Sequence, residues 1–134
     1  MTRVYYLGIV ALFTGLAGTA SAADVKGILM DQMCSGKAEV RVLSSGIQGG
    51  LIVAEAHTRE CALMPACQKS GYGVFTYDNK FLAFDPAGSR KALAAIKASH
   101  ALDNLVVEVT GEIKGDTIKV QSLKLVPPDE GKTD

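Results

Sequence analysis

The stretch Leu105-Val-Val-Glu-Val-Thr-Gly-Glu-Ile-Lys-Gly-Asp-Thr-Ile-Lys-Val-Gln121 decides the fold class. Leu105, Val107, Val109 and Ile113 alternate with Glu108, Thr110 and Glu112, and after Gly115-Asp116 the apolar Ile118 and Val120 alternate with Lys119 and Gln121. A period of two sends successive side chains to opposite faces, so this reads as two antiparallel strands with one face wet and one buried. The alternation slips near Ser122, where Leu123 and Leu125 take over the apolar face, as a bulge requires.

Working back from that hairpin, Tyr72–Tyr77 and Lys80–Phe84 flank Asp78-Asn79, which predicts a second hairpin on a two-residue turn. Asp85-Pro86-Ala-Gly-Ser89 ends it, and Ser89 is the expected cap of a helix from Arg90 to about Ser99 that buries Ala92, Leu93 and Ile96. A first strand is expected over Val25–Met30, ending at Asp31. Ser35-Gly36, Ser44-Ser45-Gly46 and Gly49-Gly50 then predict a loop from Cys34 to Gly50, with a little helix around Lys37 to Val42. Residues 51–64 are rich in helix formers, and Pro65 stops that helix because its ring would meet the carbonyl of Cys61. Five short strands with a helix between the third and fourth give an α+β fold, expected as a small five-stranded OB-like barrel with a helical insertion after the first strand. A different small α+β sheet is the alternative. Neither names a ligand, since one fold serves many functions.

The N-terminus sets the compartment. Arg3 precedes the apolar run Leu7–Ala17, and Ala20-Ser21-Ala22 follows with small residues where a signal peptidase reads. That is the pattern of a secretory signal over residues 1–22. The apolar run is shorter than the roughly 20 residues that cross a bilayer, so no stable membrane span is expected after cleavage. The expected product is a periplasmic or extracellular domain over residues 23–126, followed by a disordered tail at 127–134 that opens on Pro127-Pro128.

Charge removes several classes of partner. The chain carries 14 Lys and Arg against 14 Asp and Glu, and loss of Arg3 with the signal leaves 13 against 14. Such a balance lacks the basic footprint of a nucleic-acid binder. With 6% aromatic residues and no tryptophan, stacking platforms for bases or sugars are also poorly supplied.

The chemistry-bearing residues crowd into one region: Cys34, His57, Cys61 and Cys67. Within the expected helix, His57 and Cys61 stand four apart and share a face. Cys67 follows the Pro65 break and Cys34 comes from the loop after the first strand. Three sulfurs and an imidazole suffice for tetrahedral Zn²⁺ and are soft enough for copper. Asp31 is either the plain end of a strand or a carboxylate that orients His57. The bland alternative is a disulfide from Cys34 to Cys61 or Cys67, the ordinary fate of cysteines outside the cytoplasm, with one thiol left over. The protein is then a stapled module for an envelope protein or other envelope component. A third alternative is a thiol-redox protein with one reactive cysteine. Cys61 and His57 have no third orienting residue or oxyanion-hole motif, so the weight falls on a non-enzymatic domain.

The elements Asp31-Gln-Met-Cys34, His57-Thr-Arg-Glu-Cys61, Cys67, Ser70-Gly-Tyr-Gly73, Val109-Thr-Gly111 and Gly115-Asp-Thr-Ile-Lys-Val120 together resemble a group of small exported bacterial domains of unknown activity. The resemblance covers nearly all of the chain after the signal. It implies an OB-like fold and one shared site for Cys34, His57, Cys61 and Cys67, and it implies no activity. The glycine- and serine-rich stretch between Cys34 and His57 departs from that pattern.

Overall fold

The computed structural model describes residues 21–128. The signal expected at residues 1–22 therefore lies almost wholly outside the described residues, as does most of the expected tail. No helix among the described residues is long and apolar enough to cross a membrane.

The chain is α+β. In order it forms β1 (Ala23–Asp31), α1 (Gln32–Glu55), α2 (Arg59–Ala62), α3 (Pro65–Ser70), β2 (Tyr72–Thr76), β3 (Phe81–Phe84), α4 (Pro86–Ala98), β4 (Val106–Lys114) and β5 (Thr117–Leu125). The five strands make one mixed sheet. β1 pairs antiparallel with β2 and with β4, β2 with β3, and β4 with β5, while β3 and β5 run parallel. The strand order β1-β2-β3-β5-β4 returns to β1, so the sheet closes on itself.

The β4–β5 hairpin takes the register that its alternation predicts, with Ile113 opposite Ile118 and Val109 opposite Leu123. Thr110 faces Ser122 but Gly111 faces Val120, so Gln121 is the extra residue of a bulge, at the point where the apolar face changes over. Ile113 departs from expectation. It lies near the hairpin end, where the sheet no longer covers it, and is 41% exposed.

Other boundaries move for identifiable reasons. The turn between β2 and β3 is longer than the two residues expected. Thr76 N–H donates to Lys80 O (2.8 Å), leaving Tyr77, Asp78 and Asn79 as a three-residue loop with Asn79 at φ 66°. That is the three-residue hairpin geometry with a left-handed final residue, which asparagine tolerates. Helix α4 begins four residues before the expected Arg90. Asp85, rather than Ser89, is its cap, accepting from Gly88 N–H at 3.0 Å, and Pro86 sits in the first turn, where a missing N–H costs nothing. Ser89 Oγ instead accepts from Tyr72 N–H (3.0 Å) and ties α4 to β2.

The largest correction concerns residues 34–50, expected as a loop and found inside α1. Gly46, at φ 76° and ψ −172°, breaks α1 into two helical segments. A Cβ on Gly50 would come within 2.3 Å of Val42 Cγ2 and 3.2 Å of the Phe75 ring. Glycine there serves the close approach of the two segments to each other and to β2, a packing role that composition alone reads as a turn.

Two buried clusters result. Leu29, Tyr72, Val74, Val107, Val109, Ile118 and Val120 pack with Ala92 and Ile96 of α4. A smaller cluster joins Ile28, Met30, Phe75 and Val106 to Ala38 and Ala54 of α1. The site lies where α1 leaves β1.

Candidate metal centre

Asp31 is the last residue of β1 and the cap of α1. Its Oδ1 accepts from Cys34 N–H at 2.9 Å, so the carboxylate sits on the first turn of the helix, where exposed N–H groups favour an anion. The same capping geometry places the Cys34 side chain beside it.

Cys67 arrives from α3. The helix expected over residues 51–64 does not run through: α1 ends at Glu55, residues 56–58 are non-helical, α2 occupies only Arg59–Ala62, and α3 starts at Pro65. Pro65 thus begins a helix rather than only ending one. The end of α3 is fastened to the start of α1. Gln32 N–H donates to Gly71 O (2.8 Å), Gln32 Nε2 to Tyr72 O (3.2 Å) and Met33 N–H to Ser70 Oγ (3.3 Å). These bonds turn Cys67 toward Cys34. One oxygen of Asp31 and the sulfurs of Cys34 and Cys67 all lie within 4.8 Å of one another.

His57 occupies the non-helical link between α1 and α2. Its N–H donates to Ala54 O (3.1 Å), and Thr58 next to it caps α2 by accepting from Cys61 N–H (3.0 Å). Arg59 fixes the far side of the link. It donates through Nε to Ile96 O (2.9 Å) and through Nη2 to Lys97 O (3.1 Å), satisfying carbonyls at the end of α4. So held, His57 Nε2 stands 2.9 Å from Asp31 Oδ2, and both side chains are buried. Among the described residues neither atom has another hydrogen-bonding partner. Buried polar atoms are costly without a partner, so each of these two depends on the other.

Of the expected ligands, Cys34 and Cys67 are brought together and His57 is joined to them through Asp31. Neither His57 nor Cys61 is among the atoms within that 4.8 Å group, so the four expected ligands do not converge as one set. The reason is local: sharing a helical face with His57 required a helix through residues 57–61, and the backbone leaves the helix at 56–58. Asp31 takes a place in the cluster that the sequence offered it only as an orienting carboxylate. The signal for it was an Asp three residues before Cys34, a helix-cap spacing hidden by the glycines and serines that follow.

The electrostatics follow from burial and from the Asp31 charge. Burial works to raise the Asp31 carboxyl, but His57 and the Cys34 N–H outweigh it and hold it below the ordinary carboxylate range. Burial, followed by the Asp31 charge, pushes the Cys34 thiol up. The same causes push Cys67 up to about 11. Thiols held neutral in this way must lose their protons before they bind a metal or attack another sulfur. Tyr72, beneath the cluster, is pushed up to about 12 by burial and then by the Asp31 charge, and its hydroxyl donates to Ala62 O at 2.6 Å.

Comparison with protein-family models, with curated proteins and with solved structures finds no match to this chain.

Proposed function

We propose that this chain is an exported, non-enzymatic domain of OB-like barrel type that binds one metal ion, Zn²⁺, through Cys34 and Cys67 together with the Asp31–His57 pair. The observation that carries the reading is the convergence of Asp31, Cys34 and Cys67 within 4.8 Å at a place where Asp31 is fully buried and Cys67 is 4% exposed. A buried carboxylate beside two sulfurs, with an imidazole otherwise unpartnered at 2.9 Å, is an arrangement that a cation relieves. Two sulfurs and a carboxylate oxygen suit Zn²⁺ better than Cu⁺, which favours an all-soft set, and His57 holds the carboxylate from outside that group. A histidine facing a carboxylate is also the usual way a protein fixes the orientation of an imidazole near a metal. The barrel reading rests on the closed strand order and on α4 lying between β3 and β4. Export rests on the N-terminal pattern, and the resemblance to small exported domains agrees with both.

The test is zinc content by elemental analysis after the reduced protein has been equilibrated with Zn²⁺ and dialysed. One zinc per chain is expected. Cys34→Ser and Cys67→Ser each abolish retention, Asp31→Asn weakens it by about 10–100-fold, and Cys61→Ser leaves it unchanged. Reduced wild-type protein that retains no zinc overturns the reading. Loss of binding in Cys61→Ser overturns the ligand set.

A further inference from the structure

We propose that Cys34 and Cys67 are also a dithiol–disulfide couple, so that the metal site has an oxidised form in which the same two sulfurs are bonded to each other and no ion is held. This rests on the metal reading above and adds its regulation.

The argument starts from the placement of the three cysteines. Cys34 and Cys67 have their sulfurs within 4.8 Å, while Cys61 is outside the group. A bonded pair sits near 2.05 Å. Cys34 is in the first turn of α1 and Cys67 near the start of the six-residue α3, and each sulfur moves with one side-chain torsion. All three thiols are free.

The two partners differ in access. Cys34 is half-buried and Cys67 is buried. An incoming reagent therefore meets Cys34 first, and Cys67 is the resolving thiol. With a small-molecule disulfide as oxidant, the Cys34 sulfur attacks one sulfur of the reagent, forms a mixed disulfide and expels one reagent thiol, which carries off the Cys34 proton. The Cys67 sulfur then attacks the Cys34 sulfur, the second reagent thiol leaves with the Cys67 proton, and the intramolecular bond is made. Two electrons pass from the two cysteines to the reagent, and neither sulfur can then become the thiolate that a metal binds.

The position of the pair gives the couple a structural meaning. Residues 34 and 67 stand near the two ends of the helical insertion between β1 and β2. Metal and disulfide are thus alternative clasps for one segment: the insertion stays tied to the sheet in both states, and only the ion comes and goes.

The experiment uses the full signal-cleaved chain carrying Cys61→Ser, so that only the pair can react. Reduced protein is incubated with glutathione disulfide, with and without prior Zn²⁺ loading. It is then denatured, alkylated, weighed by intact mass spectrometry and assayed for zinc retention. The expected result is a mass lower by one hydrogen pair, no alkylation of Cys34 or Cys67, loss of zinc retention, and recovery of retention on reduction with a phosphine. Prior zinc loading slows the bridging. Reduced protein that binds zinc but remains fully alkylated after the oxidant overturns the couple and leaves the metal site standing. Bridged protein that still retains zinc overturns it as well. Reduced protein that retains no zinc overturns the metal reading and this one with it.

Discussion

The two buried clusters meet along β1, where Leu29 faces one and Ile28 and Met30 face the other, yet they are assembled from different materials. The larger is filled by strand residues of ordinary alternation, Val107, Val109, Ile118 and Val120, with α4 laid against them. The smaller is made by bringing backbones close. Ala38 and Ala54 of α1 are fully buried and Phe75 fills the space between helix and sheet. The first can be described by side-chain volume. The second depends on small residues that let a kinked helix settle on β1 and β2, and it is the one that sets where Cys34 begins. The start of α1, and with it the site, is therefore set by the smaller cluster.

The strongest challenge to that division is Phe75→Ala. Removing this fully buried ring, which packs with Ile28 and Met30, is expected to cost about 3–5 kcal/mol in urea unfolding. Hydrogen exchange should show the amides of α1 losing protection before those of β4 and β5. Equal loss in both regions would merge the two clusters into a single cooperative unit.

Tyr72→Phe sharpens the comparison at the seam, since the tyrosine ring belongs to the larger cluster while its hydroxyl reaches Ala62 of the insertion. Loss of that buried bond is expected to cost about 1 kcal/mol in the same assay. The substitution also has a pH signature. With the Tyr72 pKa raised from 10.0 to about 12, the folded chain keeps the phenol proton across that interval while the unfolded chain releases it. Stability therefore falls as pH rises from 10 toward about 12, and Tyr72→Phe removes that share of the decline. Cys67, raised from 9.0 to about 11, begins a similar decline near pH 9 that the substitution leaves in place. An unchanged alkaline slope in Tyr72→Phe would detach the tyrosine from the linkage.

The smallest effect is expected on the outer face of the sheet. Lys124 Nζ lies 2.9 Å from Glu108 Oε2, but the two side chains are 70% and 41% exposed. Lys124→Ala should change unfolding free energy by no more than about 0.5 kcal/mol, because water and salt screen such a pair. A loss of several times that size would move part of the fold's stability to the outer surface.

What could be read without coordinates follows the same division. The β4–β5 hairpin was legible down to its bulge because each strand has one wet face and the polar residues write the period. β2 was legible as a strand, although all five of its residues are buried and its two faces serve different clusters. The insertion was not legible. Gly36, Gly49 and Gly50 have weak helix propensity, and only tertiary packing against Phe75 and β1 makes α1 worth forming. The site suffered accordingly: Cys34, His57 and Cys67 stood out by residue type, whereas Asp31 acquires its place only once it is seen to cap a helix that the glycines disguise.

The pairing of β1 with β4 brings residues 23–28 against residues 106–111. A chain that appears N-terminus first holds its opening strand without one of its two neighbours until almost the whole domain exists. Such distant pairings fold late, because the entropy of closing a long stretch must be met before any contact rewards it. The first strand is consequently the last to be completed, and Cys34, just past its end and packed in the cluster with Val106, takes up its final surroundings only when β4 is in place.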